Sequence, residues 1–230
     1  MRHVALLLCM LAQPVAAAVI AIDVGHYFEE PGVVSARGRP EFEFNLDLAR
    51  EIEAVLMARG HATRLIGADG RMKDLWRRPR AAQGADLFIS VHHDSVRERF
   101  LAPWTHDGVQ RRHSDSFAGF SLFVSRENAG LKRGLRCASA IGAALKKADF
   151  RPSLYHADPV VGENRPFADK DNGVHYFDHL AVLRHAGMPA LLFEAGVVVN
   201  RAEETRMSDG KVQKQIAVSV ADGVEACLTN

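Results

Sequence analysis

The 230-residue chain sets 29 Lys and Arg against 28 Asp and Glu, a formal net charge of +1, with 47% hydrophobic and 25% charged residues. That balance suits one soluble globular domain with a sizeable core and excludes the concentrated basic face of a nucleic-acid binder. Arginines gather at Arg77, Arg78 and Arg80 and again at Arg111 and Arg112; both groups read as a solvated helix face or loop.

Residues 1–18 read as a leader. Met1-Arg2-His3 is a short basic start, Val4 to Met10 an apolar run, and Ala12 to Ala18 supplies the small residues that precede a signal-peptidase cut. The expectation is a secretory signal cleaved after Ala17 or Ala18, leaving a mature domain over 19–230. The apolar run is too short to span a bilayer, so no stable membrane insertion is expected. Cys9 follows Leu8 rather than a small residue, which argues against a lipid anchor. In the mature chain Cys137 and Cys227 remain. They either pair in an oxidising compartment or lie as two small buried apolar residues.

Predicted elements then alternate. Val19 to Val24 is a strand. Phe42 to Arg59 has helical apolar spacing with Gly60 just past its end. His61 to Ile66 is a strand, Leu75 to Gly84 a helix, Ala85 to Val91 a buried strand, and Phe120 to Ser125 another. Asn128 to Ala148 is a long amphipathic helix, Leu180 to Leu183 a short element, Ala190 to Glu194 a strand, and Asp209 to Leu228 the closing helix. Alternation of this kind predicts an α/β domain with a mostly parallel sheet covered on both faces. Arg97 to Ala118 and Phe150 to Phe177 read as irregular, and long loops in compact domains often act as lids or binding walls.

Three predicted strands end in polar groups. Ile22-Asp23-Val24-Gly25 delivers His26, Phe88-Ile89-Ser90-Val91 delivers His92, and Ala190-Leu191-Leu192-Phe193 delivers Glu194. The carboxyl edge of an α/β sheet is where ligand and catalytic groups collect. Glu41, just before the first long helix, can swing back to make a His26–Glu41–His92 set with an open fourth position, the arrangement of a catalytic zinc site. Glu194 would then be the general base. Plainer readings stand beside this one: histidines hydrogen-bonded for structure, Glu41 favouring a helix N-terminus, and Glu194 paired with an arginine such as Arg184.

The same segments carry a family resemblance. Ile22 to His26 with Gly32, Glu41 with Asn45-Leu46 and Ala49, Phe88 to Asp94, and Val182-Leu183-Arg184 through Met188-Pro189-Ala190 to Leu192-Phe193-Glu194-Ala195-Gly196 and Asn200 resemble, in order, the motifs of zinc-dependent N-acetylmuramoyl-L-alanine amidases of the type 3 family. The resemblance implies that His26, Glu41 and His92 bind Zn2+ and that Glu194 is catalytic. It implies cleavage of the amide between N-acetylmuramic acid and the L-alanine of the peptidoglycan stem peptide, in a single domain with a sheet of about six strands. A signal peptide together with that substrate points to the periplasm. An activator protein is a possible partner, and a monomer is the default at this size.

The chain also departs from the family pattern. Tyr27-Phe28 replace a glycine pair beside the metal, Phe42 replaces a lysine, and His93 stands where a small residue is usual. Adjacent strand residues point to opposite faces, so one of His92 and His93 reaches the metal, and His92 is the choice. The segment Arg97 to Ala118, where regulated members insert a blocking helix, lacks a long apolar helical pattern and reads as a groove wall or partial lid. His175 and His179, four apart, would share a helix face in a substrate-facing or surface role. Two other functions fit the same residues: a zinc carboxypeptidase using Arg184 or Arg165 to grip a terminal carboxylate, and a wall-binding domain without activity.

Overall fold

The computed structural model describes residues 17–229. Most of the expected leader, residues 1–16, therefore lies outside the described residues. Nine strands and six α-helices follow: β1 (Val19–Val24), α1 (Glu41–Ala58), β2 (Ala62–Ile66), α2 (Arg77–Ala81), β3 (Leu87–Asp94), β4 (Ala102–His106), β5 (Val109–His113), β6 (Ser121–Val124), α3 (Leu131–Lys147), β7 (Phe167–Asp169), β8 (Val174–Tyr176), α4 (Ala181–Arg184), β9 (Ala190–Val197), α5 (Arg201–Met207) and α6 (Gly210–Leu228).

Seven strands form one sheet in the order β2-β1-β3-β9-β6-β8-β7. The β2-β1-β3-β9 half is parallel, β6 runs antiparallel to β9, and β7 runs antiparallel to β8. The expected α/β architecture is present, with one strand more than the expected six. The short pair β7–β8 lies within Phe150 to Phe177, and β4–β5 forms a separate hairpin within Arg97 to Ala118. Both stretches read as irregular because their strands are three to five residues long and carry no clean alternation.

Strand alternation sorts the core into two layers. Ile20, Ile22 and Val24 of β1, Leu87, Ile89 and Val91 of β3, and Leu191, Phe193 and Ala195 of β9 pack with α1, α3 and α6 in the larger core. Ala21, Phe88, Phe123, Ala190 and Leu192 face the other way, onto Ala82, Val182 and Leu183 around α2 and α4. β1, β3 and β9 are buried on both faces, which is why they read as continuous apolar runs.

Arg78 departs from its expected solvated place. It is 1% exposed. Its guanidinium pairs with Asp23 at 2.7 Å and donates to the carbonyls of Val24, His26 and Met72. Desolvating an arginine is costly unless its donors are satisfied, and here four acceptors converge on it. α2 is thereby tied to the carboxyl end of β1. α5, absent from the expected elements, begins at Asn200, whose side chain accepts from the backbone N–H groups of Ala202 and Glu203; Asn200 followed three residues on by Glu203 is a capping signature that marks the helix start.

Cys137 on α3 and Cys227 on α6 form a disulfide across 90 residues of sequence, with Cα atoms 4.9 Å apart. The pairing settles their open alternative. Closing so long a loop restricts the unfolded chain and contributes about 2–5 kcal/mol. The Cys137→Ala/Cys227→Ala double variant is expected to lose stability in that range in denaturant titrations. A reducing agent should lower the wild-type midpoint and leave the variant's unchanged.

Candidate metal centre and its acidic surround

His26, Glu41 and His92 come from three separate elements and meet at the carboxyl edge of the parallel strands. Their ligand-type atoms all lie within 4.8 Å of one another. His26 Nε2 is 3.1 Å from one Glu41 carboxylate oxygen and His92 Nδ1 is 3.0 Å from the other. The two imidazole rings stand edge to face with centroids 4.9 Å apart.

Local backbone sets this geometry. His26 has φ of 68°, a left-handed conformation that non-glycine residues seldom adopt and that the surrounding structure must hold. The Arg78 guanidinium holds the His26 carbonyl, and Gly25 N–H donates to Val91. At Gly25 an added Cβ would run into the His92 ring, and at Gly32 (φ of +80°) into the Glu41 carboxylate. Both glycines are space requirements of the donor cluster.

Glu41 opens α1, where the helix N-terminus favours its charge. Its carboxylate accepts from Val33 N–H at 3.2 Å, His93 N–H at 3.3 Å and Asn45 Nδ2 at 3.1 Å. Burial opposes its ionisation, yet the hydrogen bonds to His26 and His92 outweigh that and hold the carboxyl well below its usual range. Asn45 in turn accepts from His93 Nδ1 at 2.8 Å. His93 is buried against Phe44, and burial pushes its pKa down to about 3, leaving a neutral ring. His92 thus reaches the donor cluster and His93 braces it from the opposite face.

Glu194 faces His92 directly across the β3–β9 pair. Its carboxyl has one buried oxygen without a hydrogen-bond partner among the described residues. Burial, then the negative charges of Asp94, Glu41 and Glu163, push it well above the ordinary carboxylate range. Arg184 is not its partner: that side chain pairs with Glu127 at 2.5 Å. His26, Glu41, His92 and Glu194 all line one cavity of about 350 Å³, walled also by Val96, Arg97 and Tyr155.

Asp94, His156, Glu163 and Tyr155 form a surround that sequence reading missed. His156 Nε2 is 2.8 Å from Asp94, whose carboxylate also accepts from the Tyr155 hydroxyl at 3.0 Å. His156 Nδ1 lies 3.6 Å from Glu163, which pairs with Arg165. Asp94 adjoins the His92-His93 pair and was the available hint; its partner 62 residues away leaves no local pattern. His175 and His179 do not share a helix face: His175 is buried in β8, while His179 lies exposed beyond that strand, 3.5 Å from Glu127.

The architecture is thus an α/β domain with a candidate metal centre at the carboxyl edge of its sheet. The chain belongs to the N-acetylmuramoyl-L-alanine amidase family, whose model Amidase_3 matches residues 20–226. It is 28% identical to N-acetylmuramoyl-L-alanine amidase AmiC of Neisseria meningitidis, over 90% of this chain and 52% of that protein. It is 23% identical to AmiA of Escherichia coli, over 90% of this chain and 74% of that one. The chain therefore spans about half the length of the Neisseria relative. Among solved structures, Ami1 of Mycobacterium smegmatis matches with a TM-score of 0.74 at 18% identity, covering 94% of this chain and 99% of its own. The catalytic domain of CwlV from Bacillus (Paenibacillus) polymyxa gives 0.69 at 24% identity, covering 92% and 98%. Those structures establish the fold.

Two outcomes follow from this geometry. Asn45→Ala, which frees the Glu41 carboxylate and unpairs His93, is expected to weaken metal retention by about 10–100-fold in chelator competition. For His156, burial works against its charge, but the hydrogen bonds to Asp94 and Glu163 prevail and raise its pKa to about 9. Because that value lies above the ordinary one near 6.5, its contribution to stability is complete below about pH 6.5 and is lost as pH rises through about 9. NMR titration of the His156 ring, with unfolding midpoints from pH 6 to 10, checks both the value and the sign.

Proposed function

We propose that the chain hydrolyses the amide between the lactyl group of N-acetylmuramic acid and the L-alanine of the stem peptide in peptidoglycan. His26, Glu41 and His92 would hold Zn2+, and Glu194 would act as general base and then general acid. The observation that carries this reading is a three-donor cluster beside a buried carboxyl oxygen with no hydrogen-bond partner among the described residues, both open to the same cavity. The donor set fits zinc: two imidazoles and a carboxylate, with no cysteine, leave room for substrate. Bound there, zinc would supply a Lewis acid that polarises the scissile carbonyl and acidifies water.

The chain's own residues account for the rest. Asn45 and the backbone N–H groups of Val33 and His93 fix the Glu41 carboxylate, so the donors are set before any ligand arrives. Glu194 is placed opposite His92, on the cavity wall where it can take a proton from attacking water and return it to the leaving nitrogen. Its raised pKa suits that exchange better than an ordinary solvated carboxylate would.

A secretory signal over residues 1–18 would deliver the mature domain, 19–230, across the inner membrane to the periplasm and the wall. No helix among the described residues is long and apolar enough to cross a membrane. Arg97 to Ala118 leaves the site open: its first residue, Arg97, lines the catalytic cavity, while the hairpin is held against other segments through the Trp104 indole N–H to Ala36 and Ser114 N–H to Val199. We infer that the domain works as a monomer, with an activator protein as its candidate partner. A likeness to CwlD of Clostridioides difficile, solved in complex with the lipoprotein GerS (TM-score 0.67, 16% identity), supplies the case of an amidase with a protein partner.

The test is mass spectrometry of soluble products after the zinc-loaded protein acts on isolated sacculi. Intact stem peptides are expected from the wild type. Glu194→Ala is expected to fall by at least about 100-fold, the scale of a lost general acid–base group. Trimmed peptides would redirect the assignment to a carboxypeptidase with Arg165 as carboxylate grip. Sacculus binding without products, even when a candidate activator is added, would leave a wall-binding domain.

A further inference from the structure

A second cavity of about 410 Å³ shares His26 and His92 with the catalytic one but contains neither Glu41 nor Glu194. It opens on the α2 side of the sheet edge. Tyr27, Leu75 and Val182 give it apolar walls, Glu30 and Lys73 polar ones, and Arg78 lies at its inner surface. Leu75 is half exposed, and two further large apolar side chains, Phe28 and Trp76, stand exposed on the segments that flank it. The loop after β1 is pinned beside the loop before α2 by Phe28 N–H to Gly70 and by an ion pair between Glu29 and Lys73.

Amide hydrolysis divides the substrate at the scissile bond. Glu194 must reach the leaving nitrogen, so the peptide half belongs on the Glu194 side, in the cavity walled by Asp94, Arg97 and Glu163. The acyl half must then leave the donor cluster in the opposite direction. The second cavity borders the cluster there, through the same two histidines. We propose that it binds the sugar chain, the N-acetylmuramic acid end of the glycan strand, with Tyr27 and Leu75 against the faces of the sugar rings. This assignment rests on the proposed amidase reading.

The lining suits that occupant. Sugar rings present apolar C–H faces and a rim of hydroxyl and amide groups. An amphipathic aromatic such as tyrosine serves the first and can hydrogen-bond the second. Tyr27 is held in place by its backbone N–H, which donates to the Glu30 carbonyl, and Arg78 keeps one buried N–H, at Nε, without a partner among the described residues. Exposed apolar groups rimmed by polar ones mark binding grooves. The Tyr27-Phe28 pair, which departs from the family's glycines, thereby acquires a role in specificity.

The direct test is calorimetric titration of the zinc-loaded mature protein with glycan oligosaccharides stripped of peptide, and separately with free stem peptide. Saturable binding of the glycan is expected. Tyr27→Ala and Leu75→Ala are each expected to weaken it at least about fivefold, the loss typical of a contact that matters at an interface, while free-peptide affinity stays unchanged. Tyr27→Phe, which keeps the ring, should recover most of the glycan affinity. On sacculi the same alanine variants should raise KM and leave kcat near wild type. The proposal is overturned if peptide-free glycan does not bind, or if it binds both alanine variants as tightly as wild type. It is equally overturned if these variants lose peptide affinity instead. Glycan titration needs no turnover, so a protein that binds glycan through Tyr27 and Leu75 yet releases no peptide would sink the amidase reading and keep the sugar site.

Discussion

The Glu41 carboxylate is the point on which the rest of the site depends. It is buried, it carries charge, and it sits between two imidazoles, one from the loop after β1 and one from β3. A buried carboxylate is tolerated only where donors or a cation offset its lost hydration. Here the offset comes from the start of α1, two backbone N–H groups, Asn45 and both histidines. Each partner constrains another element: Val33 the loop after β1, His93 the end of β3, and Asn45 the next turn of α1. The donor cluster is therefore a junction of three chain segments held before any metal arrives, which is the preorganisation a catalytic metal needs.

A second junction lies behind it. Arg78 and Asp23 are both about 1% exposed, and the guanidinium also takes carbonyls from either side of the turn that carries His26. Asp23 is further fixed by Ser90 on β3 at 2.7 Å. A left-handed histidine at the end of a strand is strained, and strain of that kind persists only where neighbours over-determine the backbone. Arg78 supplies that determination. Its ion pair contributes more to where His26 stands than to global stability, since burying two charges largely consumes what their attraction returns.

Sequence patterns reveal one of these junctions and hide the other. β1, β3 and β9 are legible because parallel strands buried on both faces must be apolar throughout, and each ends in a polar residue that such a run would otherwise exclude. α1, α3 and α6 are legible because one face of each covers the sheet. Arg78 is hidden: an arginine in an arginine-rich stretch looks solvated, and only the approach of α2 to the end of β1 supplies its acceptors. His156 is hidden for the same reason, its partner Asp94 lying on a strand far off in the chain. The β4–β5 hairpin leaves no signal because Pro103, Arg111 and Arg112 dilute strand character in a ribbon exposed on one face and only half-buried on the other.

These hidden contacts also give the sheet edge a direction. On the β9 side of the donor cluster stand Glu194, Asp94 and Glu163, with His156 between the last two and Tyr155 on Asp94. Burial and the charges of the neighbouring carboxylates raise the pKa of Glu194, the member short of compensating donors. Asp94 and Glu163 have theirs in His156, Tyr155 and Arg165, whereas one oxygen of Glu194 has none among the described residues. On the β1 side lies a cavity that holds none of these three acids, walled by Tyr27, Leu75 and Val182 together with Glu30, Lys73 and Arg78, with Phe28 and Trp76 exposed on the flanking segments. Proton transfer belongs to one flank of the two histidines and apolar contact to the other, so a substrate spanning them meets unlike chemistry on either side of its scissile bond.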